Sequence, residues 1–290
     1  MDPNVQIEAP TLSVQRIARI KLVVADLKAV GTFYADALGF ELASHTEGSA
    51  VLRLGAQEIE LITTATAGRP YPEPHAANDP WFQHFAIAVS DMHAAYARLS
   101  RYAEQPISEG GPQLLPPSTG SVTAYKFRDP EGHPLELSHI PESAWAHAPG
   151  AGPFLGVDHT ALAVRDLEAS LAFYTQVLGF TQEGRFLNKG AEQDRLDGLA
   201  GVQLDIAALR TIGPGPHVEL LHYRQPPSAA APHEIRPDDI AATRLVLDVA
   251  SSGLTAVLDH RGVRWRSAPD GIVCSDPDGH LIELREAGSR

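Results

Sequence analysis

The sequence predicts an α+β fold built from four βαβββ units, and three observations lead there. The first is a tandem duplication. Val24-Ala25-Asp26-Leu27 followed by Phe33-Tyr34-Ala35-Asp36-Ala37-Leu38-Gly39-Phe40 returns as Val164-Arg165-Asp166-Leu167 followed by Phe173-Tyr174-Thr175-Gln176-Val177-Leu178-Gly179-Phe180. Asp129-Pro130-Glu131-Gly132-His133-Pro134-Leu135-Glu136-Leu137 likewise returns as Asp276-Pro277-Asp278-Gly279-His280-Leu281-Ile282-Glu283-Leu284, so the repeat is about 140 residues long. The second is a further division of each half. Ile17–Val24, Phe82–Val89, Val157–Val164 and Thr243–Val249 each alternate apolar residues ahead of a helix-like stretch. The third is a Glu inside a closing apolar run in every unit, at Glu60, Glu136, Glu219 and Glu283.

Each element has a local reason. The four alternating segments carry side chains to opposite faces at period 2, which makes half-buried strands. Asp26, Asp91 and Asp166 stand just before the helices, where a side-chain oxygen can cap the first turn. In the helices, Tyr34 and Tyr174 pack on the sheet. The D-P-x-G-H sequences form turns between the third and fourth strands of the second and fourth units, which gives His133 and His280 structural roles. Cys274, just before the last turn, reads as buried filler. His139 and His222 read as surface residues near strand ends. Ala65–Pro80, His147–Gly156 and Pro226–Pro237 are the linkers, rich in turn residues. Gly184–Arg210 is an insertion in the third unit, expected to be a loop or lid. The division gives an N-terminal domain over 15–145 and a C-terminal one over 153–286.

Composition limits the function. The chain has 290 residues, 43% of them apolar and 20% charged, enough to bury a core without staples. A net charge of −13 with no basic stripe excludes the usual nucleic-acid binder. No apolar run reaches the ~20 residues that span a bilayer. Residues 1–10 lack the apolar region of a secretory signal. With the single Cys274, that points to a cytoplasmic protein and excludes any thiolate-cluster metal site. A metal would have to bind through the carboxylates and the 13 histidines.

The F-Y-x-x-x-L-G-F and D-P-x-G-H-x-x-E-L motifs resemble those of the vicinal oxygen chelate superfamily, which includes glyoxalase I, extradiol dioxygenases and bleomycin resistance proteins. The resemblance covers roughly residues 15–286. It implies two cupped mixed β-sheets flanked by helices. It also implies one divalent metal in a cup, with each unit offering a ligand from its first strand and one from its last. Carried onto this chain, the first-strand positions are Arg19, His84, His159 and Arg244, and the last-strand positions are Glu60, Glu136, Glu219 and Glu283.

Two pairings of units are possible. Pairing one with two and three with four, as extradiol-type chains do, gives each cup one His and one Arg. Pairing two with three, as fused glyoxalase-type chains do, gathers His84, Glu136, His159 and Glu219 in one cup and Arg19, Glu60, Arg244 and Glu283 in the other. Only the second concentrates the ligands, and it requires His84 and His159 to lie within ~8 Å, because Zn–N bonds are ~2.0–2.1 Å long. The small neighbours Ala86, Ala88, Ala161 and Ala163 leave room on that face. Such a set suits one divalent ion among Zn, Ni, Co, Mn and Fe(II).

The resemblance therefore implies a metal-dependent enzyme of glyoxalase-I-like lyase or isomerase type. It would act on a small vicinally oxygenated substrate, with Glu136 or Glu219 also moving a proton. If only His84, His159 and one Glu bind, the set becomes the iron-oxygenase triad, so a ring-cleaving dioxygenase is the first rival. A non-enzymatic drug-binding protein is the second. His217, on the face of Glu219, reads as an edge histidine with a role beside that carboxylate as the alternative. Glu60 and Glu283 read as salt-bridge partners of Arg19, Lys21 and Arg244. Substrate specificity is expected in Ala65–Pro80, Gly110–Gly120 and Gly184–Arg210. The expected partner is a small molecule, with neither nucleic acid nor membrane, in a monomer or homodimer.

Overall fold

A computed structural model describes residues 10–66, 68–141, 145, 152–228, 234–250 and 253–288. The first half of the His147–Gly156 linker and the middle of Pro226–Pro237 lie outside the described residues. Unit one comprises β1 (Val14–Val23), α1 (Leu27–Leu38), β2 (Glu41–His45), β3 (Ser49–Leu54) and β4 (Gln57–Ile62). Unit two comprises β5 (Gln83–Val89), α2 (Met92–Leu99), β6 (Gln105–Pro106), β7 (Gln113–Leu114), β8 (Thr123–Arg128) and β9 (Pro134–His139). Unit three has β10 (Phe154–Ala163), α3 (Leu167–Ala172) running into a π turn (Phe173–Val177), β11 (Thr181–Lys189), α4 (Ala191–Asp197), β12 (Gln203–Arg210) and β13 (His217–Gln225). Unit four has β14 (Arg244–Val249), α5 (Leu254–His260), β15 (Trp265–Ala268), β16 (Gly271–Ser275) and β17 (Leu281–Glu286). The α+β class and the four-unit order are those the sequence predicts.

The sheets are mixed and join units across the duplication. One runs β15-β16-β17-β14-β1-β4-β3-β2 and holds units four and one. The other runs β11-β12-β13-β10-β5-β9-β8-β6 and holds units three and two, with β7 paired to β8. At each centre two first strands run antiparallel, β1 with β14 and β10 with β5. Each first strand is parallel to its own unit's last strand. Each sequence half is thus shared between the two sheets, and the second of the two pairings is the one found.

The motifs explain how the sheets are tied together. Asp26, Asp91 and Asp166 cap their helices, accepting from Ala29, Ala94 and Ala169 N at 2.9, 2.9 and 3.0 Å. Gly39 closes α1 at φ +75°, the left-handed conformation that a side chain resists. Tyr34 and Tyr174 are fully buried. The Tyr34 hydroxyl donates to Asp129 Oδ2 at 3.3 Å, and that of Tyr174 donates to Asp276 Oδ2 at 3.4 Å. The tyrosine of one motif therefore grips the aspartate of the other, from a unit in the opposite sheet. His133 and His280 complete these clamps, reaching Val23 O at 2.9 Å and Ala163 O at 2.8 Å.

The main core lies on the faces bearing the helices, where Phe85, Ile87, Leu162, Leu220, Ile20 and Leu22 meet Phe33, Tyr34, Phe173 and Tyr174. The opposite face of each sheet is left for the cup.

Three expectations are corrected. The Gly184–Arg210 insertion is not a loop. It forms β11, α4 and β12, because residues 203–210 pair along both edges with β11 and β13. Ala65–Pro80 stays away from the cup, and its Tyr71 packs against the His133 turn at 5.9 Å between ring centres. His139 and His222 are half-buried, each with Nδ1 on a backbone carbonyl, Val89 O at 3.0 Å and Val164 O at 3.3 Å. Cys274 is buried, which pushes its thiol up to about 12, as suits filler.

Candidate metal centre

Strand register alone brings the candidate residues to one face. Residues directly opposite on neighbouring strands share a face. In the sheet of units two and three, His159 is opposite Ala86 and His84 is opposite Ala161, so the two imidazoles are diagonal neighbours. Glu136 is opposite Ala86 on the other side, and Glu219 is opposite Ala161. Two histidines and two carboxylates thus surround a pair of alanines.

The side chains converge accordingly. The rings of His84 and His159 are 5.7 Å apart between centres, inside the ~8 Å limit set by metal–ligand bond lengths. His84 Nε2 is 3.5 Å from Glu136 Oε2 and His159 Nε2 is 3.7 Å from Glu219 Oε2. Ligand atoms of His84, Glu136 and His159 lie within 4.8 Å of one another. Glu219 stands just outside that trio, beside His159 and 3.3 Å from His217 Nε2.

The surroundings set the charge of each group. Burial pushes the His84 imidazole below its ordinary range, and the Lys126 and His159 charges reinforce this. His84 is therefore neutral, the form that binds metal. Burial opposes the charge on His159 too, but the Glu219 and Asp158 carboxylates overcome it and push the imidazole up to about 9. Burial would raise both glutamates. The His84 imidazole 3.5 Å away and the Lys126 and His159 cations instead hold Glu136 low, and His159 and His217 hold Glu219 low. His159 Nδ1 donates to Asp158 Oδ2 at 3.0 Å, and Asp158 is fixed from its other oxygen by Trp145 Nε1. This orients Nε2 of His159 toward the cup, the way a ligating histidine is commonly held.

The fit to a cation rests on His84. It is 2% exposed, and neither ring nitrogen has a hydrogen-bond partner among the described residues. Buried polar atoms left unpaired are uncommon and costly. Here the unpaired nitrogens belong to an imidazole whose Nε2 faces a buried carboxylate, a donor set suited to a borderline divalent ion.

Three neighbours were not legible as site residues from the sequence. Lys126 is 3% exposed and sits opposite Glu136 in the β8–β9 register. Its Nζ is 2.6 Å from Asp197 Oδ1 and 4.0 Å from Glu136 Oε2. Asp197 arrives from α4 and Asp158 from β10. Only the alternation that puts Lys126 on the Glu136 face could have pointed to it. Over the centre opens a cavity of about 330 Å³ with apolar walls that include Leu115, Phe186, Leu204 and Ile206. Two of the three expected specificity segments, Gly110–Gly120 and Gly184–Arg210, contribute to it; the described residues of Ala65–Pro80 contribute nothing to its lining.

The second cup repeats the plan with other chemistry. Lys21 is opposite both Arg244 and Glu60. Its Nζ lies 2.8 Å from Glu283 and 3.6 Å from Glu60, the counterparts of Glu136 and Glu219. Arg19 reaches Glu60 at 3.7 Å and Glu58 at 3.1 Å. Arg244 departs from the expected salt bridge, donating to the backbone carbonyls of Pro237 and Ala242.

A family model for the Glyoxalase/Bleomycin resistance protein/Dioxygenase superfamily matches residues 16–137 and again 156–284. The chain belongs to this superfamily. Among curated superfamily relatives, the 3-methylcatechol 2,3-dioxygenase of Pseudomonas putida is 27% identical over 178 residues, 58% of this chain and 57% of that protein. The match thus spans little more than half of the relative's length. A virulence protein of Salmonella typhimurium is 26% identical over 136 residues, 45% of this chain and 88% of its own. Glyoxalase I of Zea mays superposes with a TM-score of 0.62 over 93% of this chain and 92% of the maize chain. At 19% identity, that likeness is one of fold. No helix among the described residues is long and apolar enough to cross a membrane.

Proposed function

We propose that this superfamily member is a divalent-metal-dependent enzyme of glyoxalase-I-like lyase or isomerase type, acting on a small substrate with two adjacent oxygens. The observation that carries this reading is the pairing of units two and three, which puts two histidines and two buried glutamates in one cup. His84, His159 and Glu136 would hold the ion, with Glu219 as fourth ligand. The bound ion would supply Lewis-acid polarisation of the substrate oxygens.

The chain's own residues supply the rest. Glu219 is the more open carboxylate, its side chain 21% exposed against 9% for Glu136. It is the group placed to take a proton from a carbon beside a carbonyl, with His217 Nε2 at 3.3 Å to hold the carboxylate in place. Glu136, enclosed by His84 and Lys126, is the anchored carboxylate and the second candidate for proton transfer.

The reading is tested by loading the metal-free protein with each of Zn, Ni, Co, Mn and Fe(II). A panel of α-oxoaldehyde adducts and α-hydroxyketones is then followed in deuterated buffer by proton NMR. Deuterium should enter at the carbon beside the carbonyl, and Glu219→Gln should slow this at least about a hundredfold. No exchange with any ion would refute it.

Ring-cleaving dioxygenase is the second reading. It is favoured by the Pseudomonas putida relative and by the tight trio of His84, Glu136 and His159, two imidazoles and one carboxylate. Oxygen uptake by the anaerobically Fe(II)-loaded protein with a catechol panel, without deuterium exchange, would select it.

A further inference from the structure

Lys126 breaks the pattern of the repeat. In each unit one residue of the neighbouring strand lies directly opposite the last-strand glutamate. These residues are Val51 opposite Glu60, Ala208 opposite Glu219 and Val273 opposite Glu283. Three are apolar, and the fourth, opposite Glu136, is Lys126. A buried lysine–aspartate pair gains little stability over apolar residues of the same volume, so stability alone does not account for it.

Its position gives a better reason. Lys126 Nζ sits 4.0 Å from Glu136 but 2.6 Å from Asp197. Asp197 is 2% exposed, and its other oxygen accepts from Gln193 Nε2 at 2.8 Å. Gln193 Oε1 in turn accepts from Asn188 Nδ2 at 3.2 Å. The acidic anchor is therefore fixed by the inserted β11–α4 segment. In the second cup a lysine from another strand, Lys21 of β1, sits directly on Glu283, with Glu60 as its second partner.

We propose that Asp197 is a positioning residue that holds the Lys126 ammonium back from Glu136, so that the Lys126–Asp197 pair sets the affinity of the cup for a divalent cation. This rests on the reading of Glu136 as a metal ligand. Glu136 has two rival cations, the metal and Lys126, and Asp197 decides between them by occupying Lys126.

The test is calorimetric titration of the metal-stripped full chain with Zn, with Co(II) absorption as a second readout of the ligand set. Asp197→Asn should weaken binding at least about tenfold, as the freed ammonium moves onto Glu136. Lys126→Met combined with Asp197→Asn removes the rival and should bind at least as tightly as the native chain. Equal affinities throughout, or a double variant as weak as Asp197→Asn, would overturn the proposal. If Asp197→Asn does not fold, the double variant decides alone, and binding weaker than native overturns the proposal. If the native chain binds neither ion, the titration is repeated with Ni, Mn and Fe(II), and binding of none refutes the metal reading itself, and this proposal with it. Native binding with unresponsive variants refutes this proposal only.

Discussion

The two cups share a scaffold and differ in their centre. Both set two antiparallel first strands between two parallel last strands, and both present a glutamate from each last strand. In the cup of units two and three the central residues are Ala86 and Ala161, and the glutamates face imidazoles across open space. In the cup of units one and four the counterpart of Ala161 is Lys21, whose ammonium bridges Glu283 and Glu60. A covalently attached cation satisfies the same carboxylate pair for which the other cup would need a dissociable one. On the metal reading proposed above, matching carboxylate pairs are served by a cation within the chain in one cup and by one from outside it in the other.

The largest expected effect breaks the comparison at its functional side. His159→Ala should abolish both metal binding and turnover, whereas Arg19→Ala, at the matching strand position, should leave metal content unchanged. Elemental mass spectrometry of the two variants checks this. If His159→Ala retained its metal, the assignment of the ligands would be wrong.

Next comes stability. Lys21→Met strands a buried Glu283 and should cost about 3–5 kcal/mol in urea unfolding. Adding Glu283→Gln should recover part of that loss. A cost below ~1 kcal/mol would mean that Lys21 is not the central cation of its cup.

A pH dependence sharpens the contrast. His159 is raised to about 9 in the metal-free protein, against ~6.5 unfolded. A raised imidazole contributes stability that is fully present below the unfolded value and is lost as pH rises through about 9. The thermal midpoint of the metal-free chain should therefore fall between pH 7 and pH 10 by more than that of His159→Asn. Equal slopes would contradict the charge assigned to His159.

The smallest effects test the symmetry of the clamps. Tyr34→Phe and Tyr174→Phe each remove one hydroxyl from a buried aspartate and should each cost about 1 kcal/mol. Unequal costs, read by denaturant titration, would show that the two clamps are not equivalent.

Most of the fold was legible because its determinants are local and duplicated. The capping aspartates, the motif glycines and the alternating strands repeat at fixed spacing, so each copy supports the reading of the other. The four candidate ligands followed from carrying the superfamily's ligand positions onto these repeats. What the sequence did not reveal lies off the repeat. Asp197 sits in an insertion expected to be a loop or lid, and Lys126 lies in a strand segment that carries neither repeat motif. Lys126 became visible only through the cross-strand register, which brings it opposite Glu136 from a strand ten residues away by sequence but adjacent in the sheet, and Asp197 only through its ion pair with Lys126. Arg244 escaped for a similar reason, since its partners are backbone carbonyls that no side-chain pattern encodes.

The central claim, that one cup and not the other takes an external cation, is tested most directly by metal content. The chain should be purified without a His-tag and analysed by elemental mass spectrometry beside His84→Ala. About one ion of Zn, Ni, Co, Mn or Fe should be found per chain, and lost in the variant. No bound metal, even after reconstitution with each ion, would contradict the claim and leave His84, Glu136, His159 and Glu219 as structure alone.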